Sequence, residues 1–304
     1  MSTRGDLKPV ITADALKNGD FQVVARAISL VENSNPEADV LLKSMKHKHV
    51  PVIGVTGPPG AGKSTIVDAL IKQFTGDGKK LAILCVDPSS SFHSGAILGD
   101  RIRMNRWFND PNVFIRSLAS RGAIGGLNPR VFQISDLLAH AGFDYILIET
   151  VGVGQTEIDI TRLADLVILV LVPESGDDIQ TMKSGIMEIG DIFVVNKSDR
   201  PGAEQFLTSL KSSIHYQTAK PPEEISFIQT IATEEKGVVE LYNAIKENIH
   251  RLTPHRSLKL LTQKAWQLIA ENRMSDIKKN ELAISLEKAM AEPDFNLYRF
   301  AESY

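Results

Sequence analysis

Residues 57–64 have the composition and spacing of a loop that binds phosphate. The eight residues are Gly57, Pro58, Pro59, Gly60, Ala61, Gly62, Lys63 and Ser64, with Thr65 following them. They fill the pattern G-x-x-x-x-G-K-[ST], in which backbone N–H groups and the positive end of the next helix converge on a phosphate. The pattern predicts that Lys63 reaches the β- and γ-phosphates of a nucleotide and that the Ser64 hydroxyl binds Mg²⁺. The alternative is a glycine turn with an incidental lysine.

A second motif, about 130 residues further along, indicates which base the nucleotide carries. Asn196, Lys197, Ser198 and Asp199 follow an apolar run and form the sequence N-K-x-D. The Asp199 carboxylate can accept hydrogen bonds from N1–H and the exocyclic amine of guanine, whereas adenine has neither donor on that edge. A carboxylate left unpaired would penalise adenine further. We therefore predict a guanine-nucleotide site, against the alternative of a polar turn after a strand.

Acidic residues between the two motifs are candidates for metal binding. Asp87 ends one apolar run, Glu149 ends another, and Asp100 follows in the sequence Gly-Asp-Arg-Ile-Arg-Met. Carboxylates at the carboxyl ends of parallel strands converge on one crevice, and Mg²⁺ prefers such oxygens together with a hydroxyl like that of Ser64. Gly152, in Glu-Thr-Val-Gly, is predicted to contact the γ-phosphate. Helix capping or a solvated acid is the alternative reading for the three acids.

Apolar patterning predicts an α/β fold with a mainly parallel sheet and helical extensions at both ends. The runs typical of strands are 50–55, 81–86, 113–117, 145–148, 166–172, 192–195 and 225–231. They alternate with helical patterns and are apolar on both faces, as in a parallel sheet that is covered on both sides. We predict an N-terminal helical extension at 1–48, a P-loop domain at 49–252 and a C-terminal helical arm for dimerisation at 253–304.

The composition is that of an ordinary globular protein. The 304 residues are 43% hydrophobic and 23% charged, with a net charge of −3, so nucleic acid is not expected as the main partner. The single cysteine, Cys85, lies in an apolar run and excludes an intramolecular disulfide. The first residues lack an apolar leader, and the longest aliphatic run is too short to cross a membrane. The expected location is the cytoplasm, with no membrane partner.

Six segments occur in a fixed order along the chain: G-P-P-G-A-G-K-S, V-D-P-S-S-S, G-D-R-I-R-M, R-G-A-I-G-G, E-T-V-G-V-G-Q-T-E and N-K-S-D. In this order the segments resemble the MeaB/ArgK family of P-loop GTPases, which includes the methylmalonic aciduria type A protein. The resemblance extends from about Gly19 to about Arg273 and is most specific in the middle.

The resemblance implies a GTP-dependent chaperone of methylmalonyl-CoA mutase, or of a sister acyl-CoA mutase. GTP and GDP with Mg²⁺ would be its ligands, and a homodimer its assembly. The family resemblance further implies slow GTP hydrolysis that the mutase accelerates, gated delivery of adenosylcobalamin and removal of damaged cofactor. A mobile third switch matches residues 173–183, and the activating lysine of that switch matches Lys183.

Two other functions are open at this point. A nickel metallochaperone GTPase would share much of the architecture, although the chain has no Cys-x-Cys-Cys motif or histidine-rich tract. The second alternative function is that of an ATP-dependent kinase of a transport component, and the N-K-S-D motif counts against it. The preference for guanine over adenine therefore separates the kinase from the two GTPases.

Overall fold

The computed structural model describes nine stretches of the chain. They are residues 11–87, 104–119, 128, 130–150, 160–175, 190–217, 225–251, 254–292 and 295–304. At residues 87, 175, 215–217, 254–257 and 279 it describes the backbone alone. Three predicted site residues, Asp100, Gly152 and Lys183, lie outside these stretches.

A parallel β-sheet forms the centre of the fold. Its strands are β1 (Val52–Thr56), β2 (Leu81–Asp87), β3 (Val113–Ala119), β4 (Tyr145–Thr150), β5 (Leu166–Leu171), β6 (Ile192–Asn196) and β7 (Ser226–Thr230). The spatial order is β3-β2-β4-β1-β5-β6-β7, and each neighbouring pair runs parallel. This arrangement confirms the predicted fold class and places the carboxyl ends of all seven strands along one edge.

Ten α-helices are described around the sheet and beyond it. They are α1 (Ala13–Lys17), α2 (Phe21–Glu32), α3 (Pro36–Ser44), α4 (Lys63–Gly76), α5 (Val131–His140), α6 (Ala203–Gln217), α7 (Val238–His250), α8 (Pro254–Arg273), α9 (Lys279–Met290) and α10 (Leu297–Glu302). Short 3₁₀ turns occur at Asn105–Trp107, Ile160–Arg162, Pro173–Ser175 and Ala232–Glu234.

Alternate residues of the buried strands face two separate hydrophobic layers. Ile53 and Val55 of β1 pack with α4 and α7 on one face. Val52 faces the opposite layer, which contains α1, α2, α3 and α5. On that same side α6 packs against Phe193 and Val195 of β6. Successive side chains of a strand point to opposite faces, so strands covered on both sides are apolar throughout.

The N-terminal helices belong to the same hydrophobic core as the sheet. Ile28 of α2 is fully buried in the layer beside β2 and β4. The side chain of Asp20 caps α2 by accepting hydrogen bonds from the backbone N–H groups of Gln22 and Val23. Arg116 of β3 donates a 2.7 Å hydrogen bond to Glu32, a buried carboxylate at the end of α2. Apolar packing and a buried ion pair therefore join this extension to the sheet.

Two compact units divide the chain at residue 256. The first extends from Met1 to Arg256 and contains the sheet, and the second, Ser257–Tyr304, contains α9, α10 and nearly all of α8. Several large apolar side chains of the second unit are exposed, among them Leu261, Trp266, Ile269 and Met290. The predicted boundaries at 48/49 and 252/253 stay predictions.

Removal of apolar volume from α2 should destabilise the sheet-containing unit. We expect Ile28→Ala to lower the free energy of unfolding by about 2 to 5 kcal/mol, because it leaves a cavity in a close-packed layer. The control is Val40→Ala on α3, whose side chain is 71% exposed and which should change stability by less than about 0.5 kcal/mol. Urea unfolding followed by circular dichroism measures both. Equal effects would contradict a core role for α2.

Candidate functional site

Glycine is required at two positions of the phosphate loop because neighbouring atoms leave no space for a side chain. The backbone φ angles of Gly57 and Gly62 are +139° and +91°, values that residues with a Cβ rarely adopt. A Cβ at Gly57 would lie 2.0 Å from the carbonyl oxygen of Val170, and one at Gly62 would lie 2.3 Å from Nδ2 of Asn196. The loop therefore fits tightly between β5 and the end of β6.

Lys63 directs its ammonium group into the loop from the first position of α4. The side chain is buried, with 6% of its surface exposed. Its Nζ donates hydrogen bonds to the carbonyl oxygens of Gly57 at 2.8 Å and Pro58 at 2.9 Å. A buried ammonium beside the positive end of a helix dipole makes the loop strongly attractive to anions. This is the electrostatic environment that a nucleotide phosphate needs.

The loop opens onto a cavity of about 400 Å³ at the carboxyl edge of the sheet. The cavity is lined by Pro59, Gly60, Gly62, Lys63, Ser64, Thr65, Cys85, Val86, Glu149, Thr150 and Lys197. Its volume is within the range of small-molecule sites. Residues from the phosphate loop, from β2, from β4 and from the N-K-S-D loop thus contribute to a single pocket.

One of the predicted metal-binding acids is in direct contact with the phosphate loop. Glu149 is buried at 7% exposure, between Val55 of β1 and Cys85 of β2 in the sheet register. Ser64 donates a 2.5 Å hydrogen bond from Oγ to Oε1 of Glu149. The hydroxyl oxygen of Ser64 and a carboxylate oxygen of Glu149 are ligands of the kind that Mg²⁺ prefers. These two side chains therefore fit the expected ion.

The structure does not describe the side chains of the other two predicted acidic metal ligands. Asp87 ends β2 at the same edge as Glu149, where the structure describes its backbone alone. Asp100 lies outside the described residues. Within the described stretches, no group of three or more His, Cys, Asp or Glu side chains is close enough together to hold a metal ion.

The N-K-S-D loop is joined to the phosphate loop by two side chains. Asn196 donates from Nδ2 to the carbonyl oxygen of Ala61 at 2.9 Å, and Lys197 donates from Nζ to the carbonyl oxygen of Gly60 at 2.8 Å. Lys197 adopts a left-handed conformation with φ of +56°. Asp199 is exposed at the end of the loop, where its carboxylate is accessible to a base.

The turn after β7 belongs to the same site, although the sequence reasoning did not identify it. Oδ1 of Asn196 accepts hydrogen bonds from the Thr230 hydroxyl at 3.0 Å and from the backbone N–H of Ala232 at 3.2 Å. Gly237, with φ of +74°, closes the turn, and a Cβ there would lie 2.0 Å from the Gln229 carbonyl oxygen. The signal in the sequence was a lone glycine shortly after a predicted strand.

The charged groups near the base loop are mostly paired and exposed. The Glu234 carboxylate raises the pKa of Lys236 through a hydrogen bond, and Asp199 adds a smaller effect in the same direction. Arg200, directly after Asp199, pairs with Glu174 in the turn that follows β5 and lowers the pKa of that carboxyl. Glu174 belongs to the predicted third switch at 173–183, of which residues 176–183, including Lys183, lie outside the described residues.

A family model described as "Methylmalonyl Co-A mutase-associated GTPase MeaB" matches residues 24–283. The chain belongs to the MeaB family. Guanine-nucleotide binding follows from this membership, and the pocket described above is consistent with it. The match also covers most of the region in which the sequence motifs suggested the resemblance.

Individual relatives agree with the family assignment. A Pyrococcus horikoshii protein whose name designates it a GTPase is 43% identical over 288 residues, covering 92% of this chain and 88% of the relative. The mouse protein named "Methylmalonic aciduria type A homolog, mitochondrial" is 33% identical over 291 residues, covering 86% of this chain and 69% of the relative.

A solved structure titled "LAO/AO transport system kinase" superposes with a TM-score of 0.65 and covers 95% of both chains. Its identity of 24% supports the shared P-loop fold alone. Separately, among the described residues of this MeaB-family protein, no helix combines the length and apolar character needed to cross a membrane.

Substitution of the first loop glycine should weaken nucleotide binding. We expect Gly57→Ala to lower GDP affinity by at least about tenfold, because the new Cβ must displace backbone of β5 and the φ angle is strained. The matched control is Gly76→Ala near the end of α4, where a Cβ meets nothing within 4 Å. Calorimetry with GDP measures both variants. Retention of normal affinity by Gly57→Ala would show that the loop does not hold the nucleotide as described.

Proposed function

We propose that this MeaB-family GTPase is a chaperone of an adenosylcobalamin-dependent acyl-CoA mutase, either methylmalonyl-CoA mutase or a sister enzyme. GTP hydrolysis would gate cofactor loading and would protect or reactivate the mutase. The main observation in support of the GTPase is the bond from Asn196 to Ala61, which joins the base loop to the phosphate loop. The description of the matched family, which names methylmalonyl-CoA mutase, supports the choice of partner.

In the proposed site each group of residues has a separate task. Lys63 would exchange the carbonyl oxygens of Gly57 and Pro58 for phosphate oxygens, and so neutralise charge that grows in the transition state. Gly152 would donate its N–H to the γ-phosphate. The Asp199 carboxylate would accept two hydrogen bonds from guanine, while Asn196 and Lys197 keep the base loop against the phosphate loop.

A magnesium ion would be held by Ser64, Glu149, Asp87 and Asp100, directly or through water. Mg²⁺ held by these residues would supply positive charge that offsets the charge of the phosphate groups. Ser64 and Glu149 already lie within hydrogen-bonding distance of each other. Asp87, at the end of β2, and Asp100 would complete the set, and the three acids are proposed to contribute to catalysis through the metal.

We further propose that hydrolysis is slow in the free protein and is accelerated by the mutase. Lys183 would supply the acceleration: ordering of residues 173–183 by the partner would bring its ammonium to the γ-phosphate. The helices beyond residue 253 would form a homodimer, because exposed apolar residues such as Trp266 and Ile269 need a partner surface. The cytoplasm is the proposed location.

Base preference separates a GTPase from an ATP-dependent kinase. We expect wild-type protein to bind GDP far more tightly than ADP, and Asp199→Asn to shift the preference toward xanthosine diphosphate, because an amide can donate to the xanthine carbonyl. The control is Asp110→Asn, which changes an acidic residue outside the pocket and should leave the order of the three nucleotide affinities unchanged. Calorimetry with the three diphosphates measures the result. Similar GDP and ADP affinities in the wild type would favour the kinase.

Lys183→Ala should separate basal hydrolysis from stimulated hydrolysis. Without the mutase, we expect GTP turnover of the variant to stay within about threefold of wild type, because the lysine acts only once the partner orders its segment. With saturating methylmalonyl-CoA mutase, acceleration should disappear while mutase binding persists. A lysine offers a single point charge, so the wild-type acceleration could be less than the roughly 10³-fold of an arginine finger.

The measurement is GTP turnover of wild type and Lys183→Ala, with and without the mutase, next to a mutase-binding assay. The control is Lys211→Ala on α6, which removes an exposed lysine and should be accelerated like wild type. Normal acceleration of Lys183→Ala would remove the lysine from the proposal. Failure of the wild type to bind any mutase would overturn the chaperone role itself.

A further inference from the structure

Two buried threonine hydroxyls join the ends of β1 and β4 directly beside the pocket. Thr150 donates a 2.9 Å hydrogen bond from Oγ1 to Oγ1 of Thr56. Thr56 is 0% exposed and Thr150 is 1% exposed, so the hydrogen bond is buried. Thr56 immediately precedes the phosphate loop, and Thr150 immediately follows Glu149.

The hydroxyl pair lies where the backbone pairing of the two strands ends. The last registered pair between β1 and β4 is Val55 with Glu149, and Thr56 and Thr150 are the next residue of each strand. Beyond that pair, the side-chain bond continues the connection between the strands. Since Glu149 is adjacent in the chain, the position of its backbone depends on how firmly Thr150 is held.

The end of β4 is held from both faces of the sheet. Leu147 and Val55 face the layer that contains α4, so Glu149, two residues after Leu147, points to the same side, where it meets Ser64. Thr150 and Thr56 point to the other side because side chains alternate along a strand. The Glu149–Ser64 contact and the threonine pair therefore fix the strand end from opposite directions.

We propose that Thr150 and Thr56 are positioning residues that set the Glu149 carboxylate for magnesium-linked nucleotide binding. The inference rests on the proposed function, since it assumes that Glu149 and Ser64 hold the ion. Their side chains point to the face of the sheet opposite the one on which Glu149 meets Ser64. Their effect passes through the backbone of β4 to the carboxylate, while the base loop is held separately by Asn196.

The decisive measurement compares nucleotide affinity with and without magnesium. A non-hydrolysable GTP analogue is titrated by calorimetry in Mg²⁺ and again in EDTA, and the ratio of the two affinities gives the enhancement due to the ion. We expect Thr150→Val to lower this enhancement by about fivefold, the equivalent of one net hydrogen bond. Affinity in EDTA should stay within about twofold of wild type, because the base and phosphate contacts remain.

Two further variants separate positioning from stability. Thr150→Ser keeps the hydroxyl and should restore the enhancement. Thr56→Val combined with Thr150→Val replaces both partners with apolar groups of similar shape, which is nearly neutral for stability. The double variant should therefore melt close to wild type and still show the reduced enhancement. If Thr150→Val alone does not fold, the double variant supplies the same test.

Thr75→Val provides a matched control in α4, where the hydroxyl donates to carbonyl oxygens of its own helix, and it should leave the enhancement unchanged. The proposal is overturned if the double variant has a normal enhancement, or if Thr150→Val weakens binding equally in Mg²⁺ and in EDTA. Failure of the wild type to bind the analogue at all would instead overturn the proposed function. A wild type that binds equally well with and without Mg²⁺ would overturn the metal role of Glu149 and this proposal with it.

Discussion

The site depends on one close contact, in which the Asn196 amide occupies the space that a side chain would take at Gly62. Nδ2 of Asn196 would be 2.3 Å from a Cβ at that glycine, and it donates to the adjacent Ala61 carbonyl. The base loop can thus reach the phosphate loop only because the latter has glycine there. A nucleotide that bridges the two loops needs them at a fixed separation, and this contact sets it.

The parallel sheet explains why residues far apart in sequence share one pocket. Every described strand runs in the same direction, so the carboxyl ends of β1, β2, β4 and β6 all lie at one edge. Helices on both faces exclude water from the strands, and α1–α3 extend the hydrophobic layer on one side. The pocket is consequently built on backbone that the core holds in place, which limits the reorganisation needed to bind a ligand.

Burial strengthens the electrostatic interactions of the charged groups in the pocket. Lys63 and Glu149 are both less than a tenth exposed, and a buried charge must be compensated by hydrogen bonds or by an opposite charge. Lys63 has loop carbonyls as acceptors, and Glu149 has Ser64 as a donor. Asp199 differs, because it is exposed, and its proposed recognition of guanine would rely on the base loop to orient it. The proposed site would therefore combine a buried end for phosphate and metal with an open end for the base.

The elements of the fold and the two loops could be predicted from the sequence because both kinds of signal are local. Apolar runs at strand and helix periods follow from which residues must be buried, and the spacing of glycines and Lys63 follows from the backbone angles that a phosphate loop needs. Family membership could be recognised from the same short segments.

Contacts that join distant segments leave no such local pattern. Only the tertiary structure shows the order of the strands and the packing of α2 on the sheet. It also shows the bonds from Thr230 and Ala232 to Asn196 and the threonine pair at the ends of β1 and β4. These features depend on which strands are neighbours in the sheet, and packing of the whole core determines that order. A threonine at a strand end looks the same in sequence whether it faces solvent or a second hydroxyl.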